Sequence, residues 1–211
     1  MSTRAERRRA VRRASHESGK SSQVRAIAAV VTVTLAIGIA AITFAARWSV
    51  PPSATEAPAF ASLTKGSVAP RFSVTTLTGS HVDSSRIAEP IMLEIFATWC
   101  PHCQRETQTI ERLRRTFGDH LSIVAVTGSD IASDHQSVET SDDVRAFARQ
   151  FGVNYSIAYD PALAVAKQYM QGAFPTIVFV DRAKRISSVQ TGEIDLKRLS
   201  ADARLAGATG G

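Results

Sequence analysis

The hydrophobic pattern after residue 66 alternates between continuous apolar runs and helical spacing. Two apolar runs, Ile91–Ala97 and Leu121–Val126, predict strands that are buried on both faces. Between them, apolar residues at helical intervals predict a helix over Pro101–Phe117 that ends at Gly118. The other predicted elements are a hairpin of Phe72–Thr76 and His81–Asp83, a loop over Gly128–Thr140, a helix capped by Ser141 and ended by Gly152, a helix start at Asp160-Pro161, strands at Ile177–Val180 and Ile186–Gln190, and a last helix over Leu196–Leu205. This order predicts an α/β domain with a mixed central sheet flanked by helices.

The segment ahead of this domain contains a long uncharged run. As a helix, Ala26–Ala46 would span about 31 Å, which matches the ~30 Å hydrocarbon core of a bilayer. Arg25 bounds the run on one side, and Arg47 with Trp48 bounds it on the other. The length predicts one transmembrane helix that remains as a signal anchor. The alternative is a cleaved signal peptide, whose apolar region usually runs only ~7–15 residues.

The positive charge is concentrated at the N-terminus. The formal net charge is +6, and the whole excess lies in residues 1–25, since basic and acidic residues balance in the rest. The domain therefore carries no charge suited to a nucleic acid. Basic residues before an apolar span predict a cytoplasmic N-terminus and an extracytoplasmic domain at a bacterial cell membrane. The chain then divides into a basic tail (1–25), a transmembrane helix (26–46), a flexible linker (47–66) and a folded domain (67–206).

The chain has two cysteines, Cys100 and Cys103, at the point where the predicted strand passes into the predicted helix. The N-terminus of a helix stabilises a thiolate, and two intervening residues let the second sulfur resolve a mixed disulfide. A structural disulfide closing so short a loop would remove little chain entropy. A zinc site needs four ligands, and no second cysteine pair exists. The spacing thus predicts a redox-active disulfide Cys100–Cys103, with no other cofactor and no metal.

Several further motifs surround the cysteines: Ala69-Pro70-Arg71-Phe72, Phe96-Ala97-Thr98-Trp99-Cys100, Glu106, Asp160-Pro161 and Phe174-Pro175-Thr176. Together they resemble the thioredoxin superfamily, and within it the membrane-anchored TlpA/ResA-like thiol–disulfide oxidoreductases. The resemblance spans Gly66–Gly192. It implies a thioredoxin-like fold, protein thiols or disulfides as substrates, and a membrane redox partner.

The resemblance also implies the residues of the site. Pro175 matches a cis proline, which would leave the backbone of Phe174 free to pair with an extended substrate. Trp99, Phe174 and Thr176 are therefore the candidates for contact with substrate. A strand-entering proline in the ordinary trans form is the alternative for Pro175.

The dipeptide Pro101-His102 departs from the TlpA-like pattern and resembles that of DsbA-like oxidases. A histidine there can stabilise the thiolate of Cys100, which favours the dithiol form and makes a stronger oxidant. Alternatively, His102 is an exposed residue at the helix start. The dipeptide favours an oxidant slightly, whereas the TlpA-like frame implies a reductase serving cytochrome c maturation.

Two acids accompany the cysteines. Glu94 stands in an otherwise apolar strand, at a place where the superfamily often has a buried acid. Burial would raise its pKa and suit it to move a proton to or from Cys103. Glu106 matches a glutamate of the TlpA-like pattern, and an ordinary solvated helix carboxylate is the alternative.

Two other functional classes remain open. A Sco-like copper-delivery module usually has three residues between its cysteines and a distal histidine, whereas this chain has two residues there. A peroxiredoxin-like peroxidase shares the start of the domain, but its reactive cysteine normally follows a threonine by three positions. Thr98 precedes Cys100 by two residues and Cys103 by five.

Overall fold

The computed structural model describes residues 63–210. The predicted basic tail, transmembrane helix and most of the linker lie outside this range. Within it, no helix combines the length and the hydropathy that a membrane span requires.

The described residues form seven strands and four α-helices. In chain order they are β1 (Ser73–Thr75), β2 (His81–Asp83), β3 (Ile91–Phe96), α1 (Pro101–Phe117), β4 (Ser122–Thr127), α2 (Ser141–Phe151), β5 (Ser156–Ala158), α3 (Ala166–Tyr169), β6 (Thr176–Val180), β7 (Ile186–Thr191) and α4 (Leu196–Leu205). A short 3-10 turn, Gly118–His120, follows α1. The predicted hairpin, the long helix α1 and the last helix are confirmed.

A five-stranded sheet in the order β5-β4-β3-β6-β7 forms the centre of the domain, and β1 pairs separately with β2. The central strand β3 runs parallel to β4 and antiparallel to β6, so the sheet is mixed as predicted. All six residues of β3 are buried, because helices cover both faces of the sheet.

Side chains along β3 point alternately to the two faces of the sheet and so pack against different helices. Met92 packs in one cluster with Ile110 of α1 and Leu199 of α4. Leu93 points to the opposite face and packs in a cluster with Tyr169 of α3. Since side chains two positions apart share a face, Glu94 projects to the same side as Met92, towards α1. The strand therefore places a carboxyl group beneath the helix that carries the cysteines.

Two helix starts differ from their predictions. The cap of α2 is Thr140, because its hydroxyl accepts from the Asp143 backbone N–H while the Asp143 carboxylate accepts from the Thr140 backbone N–H. Asp160 begins a turn instead of a helix at Pro161, since Leu163 adopts a positive φ of 52° that breaks the helical path. The Asp160 carboxylate instead accepts from the backbone N–H of Val165, just before α3.

The edge strand β5 was not predicted. It has three residues and pairs in parallel with β4. A run this short carries too little of a hydrophobic period to be distinguished from a loop by its sequence.

Candidate active site

Cys100 is the N-cap of α1. Its backbone is extended (φ −80°, ψ 116°), its Sγ accepts from the Cys103 backbone N–H at 3.5 Å, and Pro101 opens the helix. Both cysteines are free thiols in the structure. The Cys100 sulfur therefore faces the unpaired N–H groups of a long helix, which favour a negative charge.

The two thiols differ in their surroundings. Cys100 is 4% exposed and Cys103 is fully buried at 0%. Burial, and then the charge of Glu94, raises the pKa of the Cys103 thiol. The arrangement favours Cys100 as the sulfur that reacts with a substrate and Cys103 as the one that resolves the mixed disulfide.

The loop before β6 meets the Cys100 sulfur. The Phe174–Pro175 peptide bond is cis. The Cys100 thiol lies 3.9 Å from the carbonyl oxygen of Phe174, to which it can donate. The two parts of the predicted site, 74 residues apart in sequence, are therefore adjacent in the fold.

Thr176 does not suit the predicted role of contact with substrate through its side chain, because that side chain is fully buried. Its hydroxyl donates to the carbonyl oxygen of Ala173 at 2.8 Å and accepts from the Gln171 backbone N–H at 3.2 Å. Thr176 instead supports the loop that presents Phe174 and Pro175.

Trp99 joins the cysteine turn to the loop 128–140. Its ring packs edge-on against Phe174 at 5.7 Å and lies 5.4 Å from the His135 ring. Its indole N–H donates to the Ser129 hydroxyl at 2.9 Å. Gly128 lies against the same group, since a Cβ there would come within 2.9 Å of the Phe174 ring. The partly buried rings of Trp99 and Phe174 form an aromatic surface beside Cys100.

Glu94 is buried as predicted, at 2% exposure. Burial, and secondarily the charge of Glu106, raises its pKa well above the usual range. Its Oε1 has no hydrogen-bond partner among the described residues. A carboxyl group in electrostatic contact with Cys103 can supply a proton to this sulfur in its acid form and accept one as the carboxylate.

Glu106 is also buried, so the alternative of a solvated helix carboxylate is wrong. Its Oε2 accepts from the Ile194 backbone N–H at 2.8 Å. Burial raises the pKa of Glu106 to about 7, although the hydrogen bond from Ile194 lowers it. Two buried acids thus lie on the inner side of the cysteine helix.

His102 lies on the outer side of that helix, with 58% of its side chain exposed. Its Nδ1 is 3.2 Å from the Glu193 carboxylate and 2.8 Å from the Arg105 guanidinium. A neutral ring accepts from Arg105 at this nitrogen, and a protonated ring donates to Glu193. The contacts of His102 are therefore with neighbouring charges on the surface.

The segment Gly192–Ile194 is the part of the site that sequence reasoning missed. The Gly192 backbone N–H donates to the Pro175 carbonyl at 2.8 Å, and the Ile194 backbone N–H donates to Glu106. Between them, the Glu193 side chain binds Arg105 and His102. Three consecutive residues thus contact the proline loop, the outer face of α1 and a buried acid, and no local sequence signal marks them.

The residues that the structure describes contain no group of three His, Cys, Asp or Glu side chains placed to hold a metal ion. The chemistry that the geometry supports directly is exchange between a dithiol and a disulfide. Its setting, a helix N-terminus on a mixed sheet beside a cis proline, is that of a thioredoxin-like thiol–disulfide oxidoreductase.

Comparison with known proteins agrees with this class. The model of the family described as AhpC/TSA matches residues 65–189, and the chain belongs to that family. The thioredoxin-like protein YneN of Bacillus subtilis (strain 168) is 29% identical over 138 residues, covering 64% of this chain and 76% of the relative. The thiol-disulfide oxidoreductase ResA of Geobacillus kaustophilus (strain HTA426) is 30% identical over 129 residues, covering 60% and 69%.

A solved structure supports the fold. The crystal structure of a thiol:disulfide interchange protein DsbE from Chlorobium tepidum superposes with a TM-score of 0.60 at 23% identity. It covers 69% of this chain and 99% of that one. The predicted resemblance, the thioredoxin-like fold and the enzyme class are confirmed.

Proposed function

We propose that this chain oxidises thiols of protein substrates with its Cys100–Cys103 disulfide, on the extracytoplasmic side of the membrane that anchors it. The observation that carries the chemistry is the N-cap position of Cys100, with Cys103 one turn away and the Phe174 carbonyl 3.9 Å from its sulfur. The location is supported by the basic residues 1–25 and the uncharged run after them.

The reaction proceeds in two exchanges. A substrate thiolate attacks the Cys100 sulfur, forming a mixed disulfide, and Cys103 leaves and takes up a proton. A second substrate thiolate then attacks the substrate sulfur of the mixed disulfide, so the substrate gains a disulfide and Cys100 leaves as a thiolate. Two electrons pass to the enzyme, and a membrane redox partner removes them. A reductant would run the same steps in reverse.

The inner side of α1 provides for the proton. The Cys103 sulfur is fully buried, so a thiolate there is costly and its departure needs a proton close at hand. Glu94 is the buried acid in electrostatic contact with it, and burial raises the pKa of Glu94, which favours the form that can donate a proton. Glu94 therefore donates when Cys103 leaves and accepts when Cys103 attacks.

The outer surface suits a polypeptide. Trp99 and Phe174 present aromatic area next to Cys100, and the exposed Ile131 and Val138 of the loop 128–140 form a bridge pair on the same loop that binds Trp99. An extended segment can pair with the backbone of Phe174 while its apolar side chains contact these residues.

A reductant is the second candidate, favoured by the 30% identity to ResA and by the buried Glu106 of the TlpA-like pattern. A peroxidase is less well supported. The Thr98 hydroxyl donates to the buried Glu139 carboxylate at 2.7 Å. Thr98 therefore contacts the loop 128–140 and not a cysteine through this hydrogen bond. Peroxide consumption by the purified chain would favour the peroxidase, and copper binding by the dithiol form would favour copper delivery.

The test of direction is the equilibrium of the full chain with glutathione in detergent. A reduction potential clearly above the ~−270 mV of thioredoxin supports the oxidant. A value at or below it supports the reductant.

A further inference from the structure

One carboxylate on the surface of the site binds two side chains of α1, the guanidinium of Arg105 and the imidazole of His102. Glu193 accepts from the Arg105 Nε at 2.9 Å, and its Oε2 lies 2.8 Å from the Arg105 Nη2 and 3.2 Å from the His102 Nδ1. Hydrogen bonds from Arg105 and then His102 lower the pKa of Glu193, so it is charged at neutral pH. All three side chains stay partly exposed.

Both side chains belong to the first turn and a half of the helix that Cys100 caps. Arg105 is close enough to interact electrostatically with Cys100. A cation near this end of the helix stabilises a Cys100 thiolate, and stabilising the dithiol form makes the couple more oxidising. A carboxylate bound to that cation has the opposite effect.

We propose that Glu193 is a positioning residue for the dithiol–disulfide equilibrium, which holds His102 and Arg105 at the start of α1 and offsets the positive charge of Arg105 at Cys100. The inference rests on the proposed function of the Cys100–Cys103 pair. The Glu193 carboxylate makes the enzyme a weaker oxidant than the Pro101-His102 dipeptide by itself predicts. Arg105 and Glu193 are 88 residues apart in sequence, so the dipeptide by itself does not show the carboxylate that acts on this end of the helix.

The contacts of the segment Gly192–Ile194 allow the charge of Glu193 to be removed without loss of the backbone hydrogen bonds that support the site. Gly192 and Ile194 bind the proline loop and Glu106 through their backbone N–H groups, and a substitution at Glu193 leaves these donors in place. Glu193→Gln keeps the size and an acceptor oxygen for Arg105 but removes the charge. Glu193→Asp keeps the charge on a shorter side chain.

The experiment measures the redox equilibrium of the full chain in detergent with glutathione, in low salt. In this reaction the enzyme disulfide and two glutathione thiols give the enzyme dithiol and one glutathione disulfide. We expect Glu193→Gln to shift the constant towards the dithiol by roughly twofold to fivefold, the scale of one exposed ion pair. About 1 M NaCl should remove most of the difference, because the screening length falls to ~3 Å.

Matched variants decide what a shift means. Asp142→Asn breaks a comparable exposed ion pair, with Arg145 on α2, and should leave the constant unchanged. Glu193→Asp should stay near the wild type. The double variant Glu193→Gln/Arg105→Gln removes one charge of each sign and should return towards the wild-type constant.

The inference is overturned if Glu193→Gln leaves the constant unchanged or shifts it towards the disulfide. It is also overturned if Asp142→Asn gives an equal shift. If the wild-type chain does not exchange with glutathione at all, the proposed function itself fails. Normal exchange by the wild type with no effect of Glu193→Gln removes this inference alone.

Discussion

The two sides of the first turns of α1 place titratable or charged side chains near the same pair of cysteines, but one set is buried and the other is exposed to solvent. On the inner side, Glu94 and Glu106 are buried against the sheet, and burial raises the pKa of both. On the outer side, His102, Arg105 and Glu193 pair with one another while partly exposed to solvent. In the low dielectric of the interior, the charge of an acid interacts strongly with nearby groups, so the protonation state of the acid matters for the cysteines. On the outer side, water and salt screen the charges. The inner acids therefore suit proton transfer, and the outer ions suit fine adjustment of the redox equilibrium.

The cysteines themselves give the largest expected effects. Cys100→Ser and Cys103→Ser should each abolish catalytic disulfide exchange, but only Cys103→Ser should accumulate mixed disulfides with protein substrates. The physical reason is that Cys100 retains some access to solvent and Cys103 has none. Non-reducing gels after acid quenching measure the trapped species. Equal trapping by both variants would show that the roles are not divided in this way.

Glu94→Gln tests the inner side next. The variant keeps the shape of the side chain but cannot move a proton, so the steps in which Cys103 leaves or attacks should slow by about 100-fold at neutral pH. Single-turnover exchange monitored by tryptophan fluorescence measures this rate. Glu89→Gln, an acid ahead of β3 and outside the site, is the matched control. If Glu94→Gln reacts at the wild-type rate, Glu94 is not the group that exchanges a proton with Cys103.

Glu106 predicts a pH dependence of stability. Its pKa is about 7 in the fold against 4.5 in the unfolded chain, so the folded state binds the extra proton between these values. The free energy of unfolding should therefore fall as the pH rises from about 4.5 to 7, by about 2–3 kcal/mol from this group. Urea unfolding at a series of pH values measures it. Glu106→Gln cannot ionise and should flatten this part of the curve, whereas an unchanged slope would contradict the assignment.

His102→Asn should have the smallest effect. The side chain is more than half exposed and is bound to Glu193 and Arg105, so its influence on Cys100 is screened and partly offset. We expect a shift of the glutathione equilibrium towards the disulfide of less than about twofold in low salt, and a smaller one in high salt. A shift that persists in high salt would show that His102 acts on Cys100 through an interaction that solvent does not screen.

Local signals in the sequence were enough for the elements that carry the site. The bounds of α1 were predicted because Pro101 and Gly118 mark its ends and apolar residues recur between them. The burial of Glu94 followed from the apolar residues around it. In contrast, the turn after Asp160 and the three-residue strand β5 depend on partners elsewhere in the fold, and their local patterns are either ambiguous or too short.

The sequence by itself determined the class of fold, the order of the elements and the pair Cys100–Cys103, because hydrophobic period, helix ends and cysteine spacing are local properties of the chain. Only the tertiary structure decided which charges face the dithiol. In the fold Glu106 is buried, and Glu193 contacts His102, which is 91 residues away in sequence. The Thr176 hydroxyl donates to the Ala173 carbonyl in the same loop. The physical reason is that burial and ion pairing depend on distances in space. Those distances follow from how β3, β6 and β7 align in the sheet.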